Sequence, residues 1–232
     1  MKRTTPPLPY QGRAPRRSSG DEAALLIRKM IFDGQLRPGE RVPQDEIAAA
    51  LGISRIPVRE ALIALEREGW VTIELHRGAF INSLDEETVR DNYELFGVTY
   101  GFAAGRALDR GAEELLPRLK EVQAGLDATD DPSEFTKLSF AFHAAVVDAA
   151  KSPRLRVVLR AMSALVPGDF FTQVPDAIPL QRRSFATIMR ALRKGDADAA
   201  AEEYERGMRR LGEKVVDVFR DRGLFESAGS AA

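Results

Sequence analysis

The sequence predicts a mainly α protein in two parts: a small N-terminal domain of three helices closed by a β-hairpin, then an antiparallel all-α bundle of about six helices. Three observations carry this. Apolar residues recur at helical spacing through most of the chain, whereas strand signal is confined to "WVTIEL" and "AFI". Charge also divides at Ser83, with 13 Lys and Arg against 10 Asp and Glu up to that residue and 21 against 25 after it. A net charge of −1 therefore hides a +3 first part and a −4 second part.

In order along the chain, the first helix is expected to begin near Asp21, since Asp is a good N-cap, and to present Leu25, Leu26, Met30 and Ile31 on one face. "DGQLRPGE" ends it, because Gly34, Pro38 and Gly39 break the pattern. A short helix follows in "QDEIAAALG", with Ile47, Ala48 and Leu51 facing inward and Gly52 closing it. Ser54 then caps a third helix running to Glu68, with Gly69 just beyond it. Pro57 is tolerable there, since first-turn N–H groups have no intrahelical partner. The hairpin turns at "HRG", and Trp70 at its start is expected to fill the gap between hairpin and helix rather than to stack on a ligand. "NSLDEE" reads as a polar hinge. Beyond it, helices are expected over about 86–110, 113–128, 133–150, 153–166, 178–194 and 197–222. The domain limits that follow are a basic tail 1–18, a first domain 19–82, a bundle 83–226 and a short tail 227–232.

Composition removes several function classes. The absence of cysteine excludes disulfides, thiol nucleophiles and cysteine zinc sites, and leaves His76 and His143 as the imidazoles. No apolar run reaches the length of a membrane helix, and the basic N-terminus lacks the apolar core of a signal peptide, so a cytoplasmic protein is expected, with no membrane partner. No phosphate loop, nucleophile motif or acid/base cluster points to an enzyme. Lys2, Arg3, Arg13, Arg16 and Arg17 make a cationic arm that either touches phosphates or serves only to solubilise the end of the chain.

Within "LGISRIPVREALIALEREGW", Arg55 and Arg59 are one helical turn apart, while Val58, Leu62 and Leu65 form the opposite face. Helix, glycine turn and a helix with cations at its first turn make a helix-turn-helix, and the hairpin makes it winged. A guanidinium there can donate two bonds to guanine O6 and N7. The plainer alternative is an ordinary solvated surface helix whose Arg59 pairs with nearby acids.

"PGERVPQDEIAAALGISRIPVREALIALEREGWV" followed by "HRGAFI" resembles the DNA-binding domain of GntR-family bacterial transcription regulators, and the helical remainder resembles the FCD-type ligand domain of the FadR subfamily. The resemblance implies a homodimer bound to a double-stranded, pseudo-palindromic operator at the nucleoid. It implies DNA contacts from Ser54, Arg55, Ile56 and Arg59, and a wing tip of His76, Arg77 and Gly78 near the minor groove. Ile56 stands where the family usually has threonine, trading a hydroxyl for a side chain able to meet a thymine methyl.

Many relatives hold a divalent metal in the bundle, and through it a small carboxylate. The matching positions here are Ser139, His143, Phe185 and Gly207, and the arginine that anchors the carboxylate falls at Thr99. One imidazole beside a hydroxyl is not a tight transition-metal site, so neither metal nor cofactor is expected. Tyr93, Phe96, Tyr100, Met162 and Phe185 either line an apolar pocket with Thr99, Ser139 and His143 or are plain core. His143 either donates to an effector or is a core histidine with a protein partner. The resulting expectation is a regulator answering to an apolar or amphipathic small molecule. The alternative is a DNA-binding regulator or architectural protein with no effector.

Overall fold

The computed structural model describes residues 18–162 and 170–225; the expected cationic arm, with Lys2, Arg3, Arg13, Arg16 and Arg17, and the expected tail 227–232 lie outside the described residues. The first helix, α1 (Ser19–Phe32), begins earlier than expected: Ser18 is its N-cap, and Asp21 answers from the third position in a reciprocal capping box. Its buried face is also rotated from the expected one. Ala23, Ala24, Ile27, Ile31 and Phe32 face inward, and Leu25 is exposed. Alanines let α1 approach closely, which a pattern built on large residues overlooks.

Helices α2 (Gln44–Leu51) and α3 (Arg55–Arg67) are joined by Gly52, which takes the left-handed conformation that a tight turn requires. Val58, Ala61, Leu62 and Leu65 bury the inner face of α3. Strands β1 (Val71–Glu74) and β2 (Gly78–Ile81) pair antiparallel, with Val71 opposite Ile81 and Glu74 opposite Gly78. The turn comprises Leu75, His76 and Arg77, so Leu75, placed in a strand by sequence, sits at the tip and is 83% exposed. The segment before α2 adds a third rung that sequence does not signal. Val42 N donates to Ala79 O, Ile81 N to Glu40 O and Gly39 N to Ile81 O, and Arg41 bridges Phe80. The hinge is likewise tied down: Asn82 donates to Gly69 O at 2.8 Å, and Leu84 pairs in parallel with Phe225.

The bundle is built on α4 (Glu86–Ala128), where two expected helices run as one through a kink at Gly111. A Cβ at Gly111 would lie 2.7 Å from Ala149 O, so the kink is where the chain passes the end of α5 (Pro132–Ala149). α6 (Pro153–Met162) follows; residues 163–166, expected to continue it, lie outside the described residues. A single turn α7 (Phe170–Gln173) and a 3-10 turn (Pro175–Ala177) were not expected, being too short to show periodicity. Their anchors are aromatic, with Phe171 edge-on to Phe135 at 4.9 Å. α8 (Ile178–Lys194) and α9 (Ala197–Asp221) complete the bundle. Contacts of α4 residues 93, 97 and 101 with 212, 205 and 201 show α4 and α9 to be antiparallel and close-packed.

Candidate functional site

The outer face of α3 carries the candidate DNA contacts. Ser54 holds the N-cap position, but its hydroxyl caps nothing and has no partner among the described residues. Arg55 is exposed and held by Asp45 of α2, Nε to Oδ1 at 2.5 Å and Nη2 to Oδ2 at 2.7 Å. Arg59, one turn on, is exposed and has no ion pair among the described residues. Between them Ile56 is 68% exposed, although isoleucine ordinarily seeks burial. The solvated-helix alternative placed an acid beside Arg59, and among the described residues the acid stands beside Arg55 instead.

At the wing tip His76 has φ +63°, a left-handed backbone that a non-glycine residue rarely adopts, and its side chain is exposed. Arg77 pairs with Glu74 and lies 5.4 Å over the Phe80 ring. Gly78 has φ +114°, and a Cβ on it would fall 2.6 Å from Arg41 Nε. Arg41 is therefore a wing cation as well. Sequence reasoning missed it because it precedes α2 in a stretch without periodicity. Trp70 is 1% exposed and edge-on to Phe32 at 5.3 Å, a packing residue as expected.

Inside the bundle the candidate effector residues largely converge. Tyr93, Phe96, Thr99 and Tyr100 come from α4, Ser139 and His143 from α5, and Phe185 from α8. Rings run in a chain: Phe96 stacks on Tyr100 at 5.7 Å, and Tyr100 stacks on His143 at 4.4 Å and on Tyr204 of α9 at 5.5 Å. Phe185 meets His143 edge-on at 5.2 Å, while Tyr93 meets Phe96 at 6.1 Å. Met162 joins from α6, its sulfur 3.9 Å from Thr99 Oγ1.

Three buried polar atoms here have no hydrogen-bond partner among the described residues: Ser139 Oγ, His143 Nδ1 and Tyr204 OH. Nδ1 of His143 has no hydrogen-bond partner among the described residues, while its ring is packed between Tyr100 and Phe185. Burial pushes the His143 imidazole down to about 3 and the Tyr100 phenol up to about 12, and it raises Tyr204 well above the ordinary tyrosine value. At neutral pH these groups are uncharged. Tyr204 was not foreseen, because at helical spacing on α9 it is indistinguishable from core.

The four positions matching the family's metal ligands do not fit a metal. A Cβ at Gly207 would lie 2.5 Å from Ser184 Oγ, so the hydroxyl fills the space a ligating side chain would need. Phe185 offers no donor, and no group of three His, Asp or Glu converges among the described residues.

A winged helix-turn-helix on an antiparallel bundle with unpartnered polar groups in its interior defines a DNA-binding regulator with a helical ligand domain. The comparisons make this specific: residues 20–81 match the family of bacterial regulatory proteins, gntR family, and residues 101–210 match the FCD domain. The chain belongs to the GntR family. It is 34% identical over 185 residues to an uncharacterized HTH-type transcriptional regulator of Mycobacterium tuberculosis, covering 78% of this chain and 75% of the relative. It is 33% identical over 136 residues to the Nta operon transcriptional regulator of Aminobacter aminovorans, covering 58% and 65%. Among solved structures, E. coli McbR/YncC superposes with a TM-score of 0.66 at 15% identity, covering 89% of this chain and 99% of that one. A GntR regulator from Rhodococcus sp. RHA1 gives 0.60 at 24%, covering 85% and 97%. These relationships make the chain a transcription regulator and not an enzyme. No helix among the described residues is long and apolar enough to cross a membrane.

Proposed function

We propose that this regulator works in the cytoplasm, at the nucleoid, as a homodimer on a pseudo-palindromic operator, with residues 19–82 reading DNA and residues 83–226 binding a small effector and the second copy. The carrying observation is the face of α3, where Arg55, Ile56 and Arg59 stand exposed above a buried apolar side. Ser54, Arg55, Ile56 and Arg59 enter the major groove, and His76, Arg77 and Gly78 approach the minor groove.

The effector is apolar or amphipathic. In support, the residues that would meet it are rings and uncharged polar atoms, three of which have no hydrogen-bond partner among the described residues. The homodimer reading is supported by Leu95, Val98 and Phe102, which leave an apolar stripe of α4 exposed at helical spacing.

The test begins with selection of a duplex from a randomised library by the full chain. Arg55→Ala and Arg59→Ala should each weaken binding to the enriched duplex by roughly 1 to 3 kcal/mol and to a scrambled duplex much less. Mutants that discriminate as well as the wild type would defeat the assignment of α3. Native mass spectrometry of freshly purified protein should report a dimer and any carried-over metabolite; equal affinity for random and enriched DNA would favour an architectural role.

A further inference from the structure

We propose that Asp45 is a positioning residue for base readout, holding Arg55 in the orientation in which it meets DNA. The proposal rests on the reading that α3 enters the major groove. Both side chains are largely in solvent, Arg55 at 71% and Asp45 at 65%, and an exposed pair of this kind adds little to fold stability. A carboxylate beside a phosphate-facing helix also opposes binding to any DNA sequence. What the pair supplies is geometry. Asp45 accepts from Nε and from Nη2 through separate oxygens, which fixes the guanidinium plane. Of the five N–H donors, two are used; both on Nη1 and the second on Nη2 stay free, and they form the edge able to reach guanine O6 and N7. A long side chain already ordered before binding loses less conformational freedom on binding. Arg59, which has no ion pair among the described residues, lacks this device and serves as the internal contrast.

Removing the carboxylate then has two effects of opposite sign. Asp45→Asn keeps the side-chain shape in the first turn of α2 but cannot accept through both atoms. With the full-length chain at fixed salt, it should tighten binding to a scrambled duplex about twofold, by removing one negative charge near phosphates. The ratio of affinities for the enriched and scrambled duplexes should fall about fivefold, with base preference lost at the same position that Arg55→Ala affects. In the Arg55→Ala background, Asp45→Asn should leave the ratio unchanged. Equal tightening on both duplexes would overturn the proposal and make Asp45 a charge alone. A loss of discrimination that persists without Arg55 would also overturn it, by showing that the carboxylate contacts a base itself. Failure of the underlying reading looks different: Arg55→Ala and Arg59→Ala would both keep the wild-type ratio, or no duplex would be enriched at all.

Discussion

Arg55 and Arg59 share a helix face, yet one is held by a carboxylate and the other has no ionic partner among the described residues. Ile56 between them keeps an apolar surface in water. If that surface meets a thymine methyl, Ile56→Thr should change the preferred base at one operator position while leaving affinity for scrambled DNA within about twofold, a shift that repeated library selection detects. In the bundle, the depressed imidazole of His143 makes a separate prediction about pH. The folded state resists protonation down to about 3, whereas the unfolded chain takes up the proton near 6.5, so the unfolded state binds more protons between those values. The His143 contribution to stability is therefore complete above about pH 6.5 and is lost progressively as pH falls toward 3. Melting temperatures should fall less steeply over that interval for His143→Phe, which keeps the ring stack; parallel curves would contradict the burial. At this scale the sequence exposes the candidate DNA contacts on α3, because the helix start and 3.6-residue spacing fix which face they share. It cannot expose the contacts of Asp45 with Arg55 or of Tyr204 with Tyr100, which depend on where a different element is packed; spacing within one element carries no such information.

The pairing of α4 with α9 turns on missing side chains. A Cβ at Gly97 would lie 2.7 Å from Glu205 Cα, and one at Gly101 would lie 2.9 Å from Ala201 Cβ, so larger residues would drive the helices apart. At Gly105 the nearest atom to such a Cβ, on Ala197, is 3.9 Å away, an ordinary contact. Gly97→Val should therefore destabilise by about 1 to 3 kcal/mol through overpacking, whereas Gly105→Ala should stabilise by about 0.5 to 1 kcal/mol through helix propensity. Denaturant midpoints for the two variants, moving in opposite directions, check both. The seam also explains what the sequence could and could not yield. Elements with strong punctuation are legible: Gly52 and Gly195 end α2 and α8 where expected, and α8 covers Ile178–Lys194 as read from the residues. The boundary expected between 110 and 113 is not a helix end: Gly111 kinks α4, and the helix resumes at once. The start of α1 is missed because Asp21 suits either the cap or the third helical position, and only the hydroxyl of Ser18 decides between them.

The two parts of the molecule meet through rings. Phe32, the last residue of α1, stacks on Phe219 of α9 at 5.2 Å, and Trp70 at the foot of the wing packs edge-on against Phe32. Arg222 donates to the Phe32 carbonyl, and Leu84 N donates to Leu224 O at 3.2 Å, so the end of α9 is fastened to both α1 and the segment leading into α4. The same helix carries Tyr204 in the bundle interior, 15 residues before Phe219 and hence about 22 Å along the axis. One rigid element thus touches the proposed effector site and the base of the DNA-reading part. The consequence is thermodynamic as well as geometric: with aromatic burial at the junction, the two parts should unfold together in one calorimetric transition. Phe219→Ala removes a fully buried ring and should cost about 3 to 5 kcal/mol. Because that ring is shared by both sides, the loss should appear as two resolved transitions rather than one shifted transition, with the enriched-duplex complex stabilising only the transition of residues 19–82. Met189→Ala, a buried truncation in α8 away from the junction, should lower the melting temperature while keeping a single transition. A single transition for Phe219→Ala, merely shifted, would show that the ring stack fills space without coupling the DNA-reading part to the bundle.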